Sequence, residues 1–139
     1  MKLDHIGIAV RSLDASLRFY RDTLGLRLAG IETIAAEKVR VALLPLGDTR
    51  IELLEPTADD SPIARFLEKR GEGIHHIAIE VRQLDSHLRQ LEVAGVRILP
   101  GKGASSASGH RYAFLHPQSC GGVLVELVEV PPTAAREKR

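Results

Sequence analysis

The sequence predicts an α+β fold in which two βαβββ modules form a half-open barrel. The first observation is an internal repeat, because the segment DHIGIAVRSLDASLR at 4–18 returns as HHIAIEVRQLDSHLR at 75–89. The second is that both halves close with a similar strand, RIELLEP at 50–56 and LVELVEV at 124–130. A long repeat that occurs only twice indicates two packed modules rather than a solenoid array.

The first module has the order βαβββ, which follows from apolar alternation in the strands and helical spacing between them. Ser12 and Asp14 offer a cap for the helix, and Gly25 ends it. The turn residues 46–49 predict a hairpin between the last two strands. The predicted elements are a strand at 3–10, a helix carrying Ala15, Leu17, Tyr20 and Leu24, and strands at 26–34, 39–45 and 50–56.

The second module repeats this order after a linker that carries a short helix. Its predicted elements are the linker helix at 63–69, a strand at 74–81, a helix at 83–94, and strands at 96–99, 111–116 and 122–130. The segment 100–110 is rich in Gly, Ser and Ala, as expected for a substrate loop or a long hairpin connection. We predict one domain at 1–130, with modules at 1–58 and 73–130, a linker at 59–72 and a frayed tail at 131–139.

Composition limits the function classes. The chain has 139 residues, of which 44% are hydrophobic and 27% charged, and a formal net charge of +1. The charge gives no signal for nucleic-acid binding, and no apolar run approaches membrane-spanning length. Cys120 is the one cysteine and agrees with a reducing compartment, so a cytoplasmic location is expected. The absence of Asn suggests a thermophilic source.

The repeat places two histidines and two glutamates at matched positions, His5 with His76 and Glu52 with Glu126. Each Glu lies in the middle of an apolar strand, where an unpaired buried carboxylate would cost several kcal/mol. A divalent cation shared with two imidazoles is the simplest partner. Each residue alone also fits a structural role, as a hydrogen-bonded core His or a solvent-facing Glu. Their duplication favours a site of four ligands.

The remaining chemically active residues are weaker candidates. We expect a structural role for His75, surface exposure for His87, a turn or channel role for His116, and no nucleophilic role for Cys120. His110 flanks the penultimate strand without a further indication. The cations that could contact phosphate groups of a ligand are Lys102, Arg111 and Arg40, although lone cations near a flexible loop are usually just solvated.

Several segments carry a family resemblance, most specifically DSPIARFLEKRGEGIHHIAIEV at 60–81 and HPQSCGGVLVEL at 116–127. With LDHIGIAV at 3–10, they make the chain similar to the methylmalonyl-CoA epimerases of the vicinal oxygen chelate superfamily. The resemblance covers nearly the whole chain before the tail. It implies paired βαβββ modules that hold a divalent metal in a cleft, and commonly a homodimer.

The resemblance carries four metal ligands onto this chain: His5, His76, Glu126 and Glu52. It implies interconversion of the (2R) and (2S) epimers of methylmalonyl-CoA through an enolate. Because proton transfer requires a base on each face of the substrate carbon, we expect the symmetric pair Glu52 and Glu126 to act as both ligands and bases. In one bacterial branch of the family a further carboxylate is proposed as a base. It aligns with Arg40 in this chain, so the resemblance does not supply that base here. Mixed nitrogen and oxygen ligation favours cobalt, with nickel, manganese or zinc as alternatives.

Two other functions remain open on this architecture. Glyoxalase I uses the same kinds of ligand on a hemithioacetal, although the segment 60–81 and the absence of Trp favour the epimerase. An antibiotic-sequestering binding protein shares the fold and lacks the metal. For that function, the matched His and Glu residues would be incidental.

Overall fold

The computed structural model describes residues 1–101, 103–105 and 110–130 of the chain. The predicted tail at 131–139 and Lys102 lie outside the described residues. The strands are β1 (Lys2–Ala9), β2 (Gly30–Ile34), β3 (Val39–Leu46), β4 (Thr49–Pro56), β5 (Gly73–Val81), β6 (Ala104–Ser105), β7 (Arg111–Leu115) and β8 (Val125–Glu129). The α-helices are α1 (Leu13–Leu17), α2 (Pro62–Arg70) and α3 (Leu84–Val93). The chain divides into two compact units, the first at His5–His75 and the second at Met1–Asp4 with the residues from His76 onward.

The first unit orders its strands β2-β3-β4-β1. Strand β4 pairs antiparallel with β3 and parallel with β1, so the chain must cross over between β1 and β4. Ser12 caps the crossover helix α1, since its hydroxyl accepts a hydrogen bond from the Ala15 N–H at 3.1 Å. The predicted cap is therefore confirmed.

The core of the first unit lies on both faces of its sheet. Leu13 and Leu17 of α1 pack with Val10, Ala42, Leu44 and Leu53, and Ile8 joins them. The opposite face packs Val39, Val41 and Leu54 against Ile63 and Leu67 of α2. Because side chains alternate along a strand, the α1 side takes Ile8 and leaves His5 for the other face.

The second unit repeats this design with the order β5-β8-β7-β6, in which β8 pairs parallel with β5 and antiparallel with β7. Helix α3 buries Leu84 and Leu88 against Val81, Ala113, Leu115 and Leu127. Ile79 packs against the same cluster, as Ile8 does in the first unit. The predicted α+β class is confirmed. The βαβββ order also holds in each module, although its second strand in the second module is β6, within the segment predicted as a loop.

Three predicted elements differ from the structure. The strand predicted at 26–34 is limited to β2, and the helix predicted through Leu24 changes at Arg18 to a π-helical turn, Arg18–Thr23. The strand predicted at 96–99 is wrong, since Ile98 contributes only an isolated bridge to Leu115. Short apolar runs specify burial but not pairing, and pairing needs a neighbouring strand in register. No helix in the described part of the chain is long and apolar enough to cross a membrane.

Candidate functional site

Both predicted histidines are buried, each on the first strand of its module. His5 on β1 is 5% exposed and His76 on β5 is 6% exposed. In each strand the residue two positions later, which shares the same face, is small: Gly7 after His5 and Ala78 after His76. These small residues leave room beside each imidazole ring.

Strand register brings one glutamate to each histidine. In the first unit Gly7 lies opposite Glu52, and in the second unit Ala78 lies opposite Glu126. Each His is thus a diagonal neighbour of a Glu on the same face of a parallel strand pair. The repeat in the sequence is therefore a repeat of local geometry within each unit.

The first pair includes an arginine. His5 Nδ1 lies 3.6 Å from Glu52 Oε2, and Arg50 Nε donates a hydrogen bond to the same oxygen at 2.7 Å. Arg50 Nη2 lies 3.4 Å from His5 Nδ1. The Glu52 side chain is 12% exposed and the Arg50 side chain 36%. A nearly buried carboxylate therefore has a guanidinium and an imidazole at one of its two oxygens.

The second pair has an aromatic neighbour. His76 Nε2 lies 3.3 Å from Glu126 Oε1, and the Glu126 side chain is 13% exposed. Phe114 lies opposite Glu126 in the β7–β8 register, and its ring meets His76 edge-to-face at 5.8 Å between centroids. Edge-to-face contacts of this kind stabilise aromatic pairs, so the Phe114 ring favours this orientation of the imidazole.

The structure assigns other contacts to the weaker candidates. His75 packs edge-to-face on Phe66, and His116 Nδ1 accepts a hydrogen bond from the Gln118 N–H at 3.0 Å. The turn role predicted for His116 is confirmed. His87 is half-buried rather than exposed. Burial raises the pKa of the Cys120 thiol, which agrees with the absence of a nucleophilic role.

The two described arginines that were candidates for phosphate contacts are both engaged by carboxylates. Arg40 Nη1 lies 3.0 Å from Glu55 Oε1. Arg111 Nη1 and Nη2 donate to both oxygens of Asp85, at 3.1 and 2.8 Å, and this partner raises the pKa of Arg111. These contacts anchor the arginines to the scaffold, so the expected role in phosphate binding has no support here.

Two kinds of residue were missed by sequence reasoning. Arg50 stands two positions before Glu52 on one strand, and the alternation rule alone could have placed both on one face. Glu55 and Glu129 each follow the predicted ligand by three residues and accept from a helix N-terminus. The Leu13 N–H donates to Glu55 Oε2 at 2.7 Å, and the Leu84 N–H donates to Glu129 Oε2 at 2.9 Å.

His5, His76 and Glu126 are candidate ligands for a metal ion. Two imidazoles and a carboxylate suit a divalent ion of the cobalt, nickel, manganese or zinc type. Glu52, the fourth predicted ligand, uses Oε2 for its contacts with Arg50 and His5. Its Oε1 makes no hydrogen bond or ion pair with the residues that the structure describes.

Comparison with known proteins is consistent with these features. A family model described as the glyoxalase/bleomycin resistance protein/dioxygenase superfamily matches residues 4–114. The chain is 41% identical over 131 residues to an ethylmalonyl-CoA/methylmalonyl-CoA epimerase of Cereibacter sphaeroides, covering 93% of this chain and 98% of that protein.

Solved structures extend the similarity to three dimensions. A methylmalonyl-CoA epimerase from Mycobacterium tuberculosis superposes with a TM-score of 0.86 at 40% identity, covering 97% of this chain and 91% of that one. A methylmalonyl-CoA epimerase in complex with methylmalonyl-CoA and NH4+ gives 0.85 at 39% identity, covering 94% and 95% of the two chains. The similarity therefore spans both modules.

Proposed function

Because the chain belongs to the glyoxalase/bleomycin resistance protein/dioxygenase superfamily, we propose that it is an isomerase that epimerises methylmalonyl-CoA at C2. The observation that carries the proposal is the pair of nearly buried His–Glu contacts at equivalent positions of the two units. Similarity to epimerases over more than nine-tenths of the chain supports the same reaction.

We propose that His5, Glu52, His76 and Glu126 bind one divalent metal ion. The donor set fits such an ion because both imidazoles are buried and both carboxylates are nearly so. Arg50 compensates part of the charge of Glu52, and a bound dication would compensate the charge of both nearly buried carboxylates. A bound ion would act as a Lewis acid toward the negative charge that develops on the thioester and carboxylate oxygens.

The glutamates would also move the proton. Epimerisation breaks the C2–H bond, leaves its electron pair in an enolate of the thioester, and returns a proton to the opposite face. Glu52 Oε1 is suited to accept or return that proton, since Oε2 already contacts Arg50 and His5. Glu126 would serve the other face in addition to binding the ion.

Further properties follow from the same proposal. Cobalt is the favoured ion because mixed nitrogen and oxygen ligation with open positions suits six coordination, and nickel, manganese and zinc are alternatives. Sheet edges of small domains gain from a partner, so a homodimer is proposed. The single cysteine supports a cytoplasmic location, and the lack of Asn supports a thermophilic source.

The alternatives have less support. Glyoxalase I and a metal-free sequestering protein share the superfamily, but the relatives described above act on malonyl thioesters by their names. A sequestering protein would also leave two nearly buried carboxylates without a functional reason.

Proton NMR in D2O tests the proposal. The purified protein is incubated with methylmalonyl-CoA, with added Co2+ or with EDTA, and loss of the C2 proton signal is followed together with conversion between epimers. We expect Co2+-dependent exchange that EDTA removes. No exchange with Co2+, Ni2+, Mn2+ or Zn2+ would refute the epimerase assignment. The hemithioacetal substrate of glyoxalase I would then be tested in the same assay.

A further inference from the structure

Arg50 lies beside two of the proposed ligands, and the family resemblance assigns it no role. Strand β4 places Arg50 and Glu52 on one face, and the guanidinium Nε donates to Glu52 Oε2 at 2.7 Å. Charge-assisted contacts of this length are stronger than neutral hydrogen bonds, the more so when the carboxylate is only 12% exposed. Arg50 therefore holds the Glu52 side chain in one orientation.

The same guanidinium reaches the imidazole of the pair. Arg50 Nη2 lies 3.4 Å from His5 Nδ1, and His5 Nδ1 lies 3.6 Å from Glu52 Oε2. Two groups, the guanidinium and the imidazole, thus lie at one carboxylate oxygen, and Glu52 Oε1 is the oxygen left for proton transfer. A fixed guanidinium fork suits this task better than a flexible ammonium group.

The closing strand of the second unit carries no cation at the position that matches Arg50. In the aligned closing strands, RIELLEP and LVELVEV, Arg50 corresponds to Leu124 and Glu52 to Glu126. Leucine cannot donate a hydrogen bond or carry a charge. The repeat therefore presents two equivalent glutamates, of which only Glu52 has a cation two residues earlier on its own strand.

We propose that Arg50 is a positioning residue that makes the two glutamates unequal. It draws charge density from Glu52, so Glu52 becomes the weaker metal ligand and keeps Oε1 for proton transfer, while Glu126 is the stronger ligand. This inference rests on the proposed metal site. A cation close to a bound dication also lowers the affinity for that ion through direct repulsion.

Replacing Arg50 with leucine, the residue at the matching position of the second unit, separates its effect on metal affinity from its effect on proton transfer. In Arg50→Leu we expect Mn2+ to bind about fivefold more tightly to the apoprotein, because a repulsive charge is removed and Glu52 is released to the ion. We expect kcat to fall about tenfold with KM little changed, because a tightly ligating Glu52 is a poorer base. If Arg50 had a merely structural role, its replacement would lower both the Mn2+ affinity and kcat. Arg50→Lys keeps the charge and is the matched control, with Mn2+ affinity within about twofold of wild type.

Isothermal titration of Mn2+ into EDTA-treated protein measures the affinities, and circular dichroism of each apoprotein confirms folding. Glu126→Gln should weaken binding more than about tenfold, and Glu52→Gln less than about threefold. In the Arg50→Leu background, Glu52→Gln should cause a larger loss of Mn2+ affinity than it does in wild type. A double-mutant cycle measures this difference.

The outcomes separate this inference from the proposed function. If wild type binds Mn2+ but Arg50→Leu binds it equally or more weakly, or if both glutamate variants lose the same affinity, the role of Arg50 is refuted and the metal site stands. If wild type binds no divalent ion, both are refuted. Tighter binding with a reduced kcat in Arg50→Leu supports the inference.

Discussion

The two units share a helix cap and differ at the proposed ligands. In the first unit Glu55 accepts from the N-terminus of α1 and contacts Arg40 at 3.0 Å. In the second unit Glu129 accepts from the N-terminus of α3 and contacts Arg111 at 3.7 Å. Each unit thus has a glutamate that contacts an arginine and accepts a hydrogen bond from a helix N-terminus, on the side of the sheet where α1 or α3 packs.

On the other face of each sheet the two units have diverged. Glu52 lies opposite Leu43 and beside Arg50, whereas Glu126 lies opposite Phe114. The scaffold contact is duplicated because every βαβ crossover needs its helix N-terminus satisfied. The environment of each ligand is free to change, since one reaction can use two glutamates in different roles.

The largest expected effect tests the equivalence of the histidines. His5→Ala and His76→Ala should each lower the rate of C2 proton exchange by at least about 100-fold, because each removes a buried imidazole from the proposed ligand set. The exchange assay in D2O measures both. A difference of more than about tenfold between them would break the equivalence of the two units at this position.

Metal binding should stabilise the folded protein. At a free Co2+ concentration about 100 times the Kd, the free energy of unfolding should rise by about 2.7 kcal/mol, because the ion binds the folded state. Thermal unfolding with Co2+ and with EDTA measures this gain. Glu126→Gln should lose at least about half of it, because a Kd raised about tenfold leaves a gain of about 1.4 kcal/mol. An equal gain in that variant would show that Glu126 is not a ligand.

The shared caps give a smaller effect. Glu55→Ala and Glu129→Ala should each lower the free energy of unfolding by about 1–2 kcal/mol, since a helix N–H loses its acceptor. Glu55→Ala should cost more, because its contacts with Leu13 and Arg40 are the shorter ones. Urea unfolding measures both, and Glu68→Ala on the exposed side of α2 is the control. Losses no larger than in the control would refute the capping role.

The smallest effect concerns the core of the second unit, where Cys120 packs against the α3 cluster. Because burial raises the pKa of the thiol, its thiolate fraction at pH 8 should be below that of an exposed cysteine. Alkylation by iodoacetamide should be slow, and its rate should rise at higher pH than in protein unfolded by guanidinium chloride. Equal pH profiles for folded and unfolded protein would contradict this expectation.

Much of the fold could be predicted from the sequence. Strands β1 and β5 combine alternation with a repeated pattern, and their apolar faces pack on the helices as expected. The prediction fails at 96–99, where the apolar residues are half-buried but form only an isolated bridge. It also fails at Arg18, where the helix widens into a π-helical turn that no local sequence pattern indicated.

The sequence likewise predicted some features of the candidate site and not others. The duplication predicted His5, His76, Glu52 and Glu126 as candidate ligands, because matched positions in a repeat take matched positions in each module. The sequence also determined which face of each strand carries them, through a period of two. Local patterns were sufficient for these conclusions.

Only the tertiary structure decided which partner each side chain contacts. The meeting of Arg50, Glu52 and His5 requires the parallel register of β1 and β4 and one rotamer for each side chain. The caps formed by Glu55 and Glu129 depend equally on where α1 and α3 begin above the sheet. Contacts between residues that are distant in sequence depend on how strands pair and helices pack, and no local pattern carries that information.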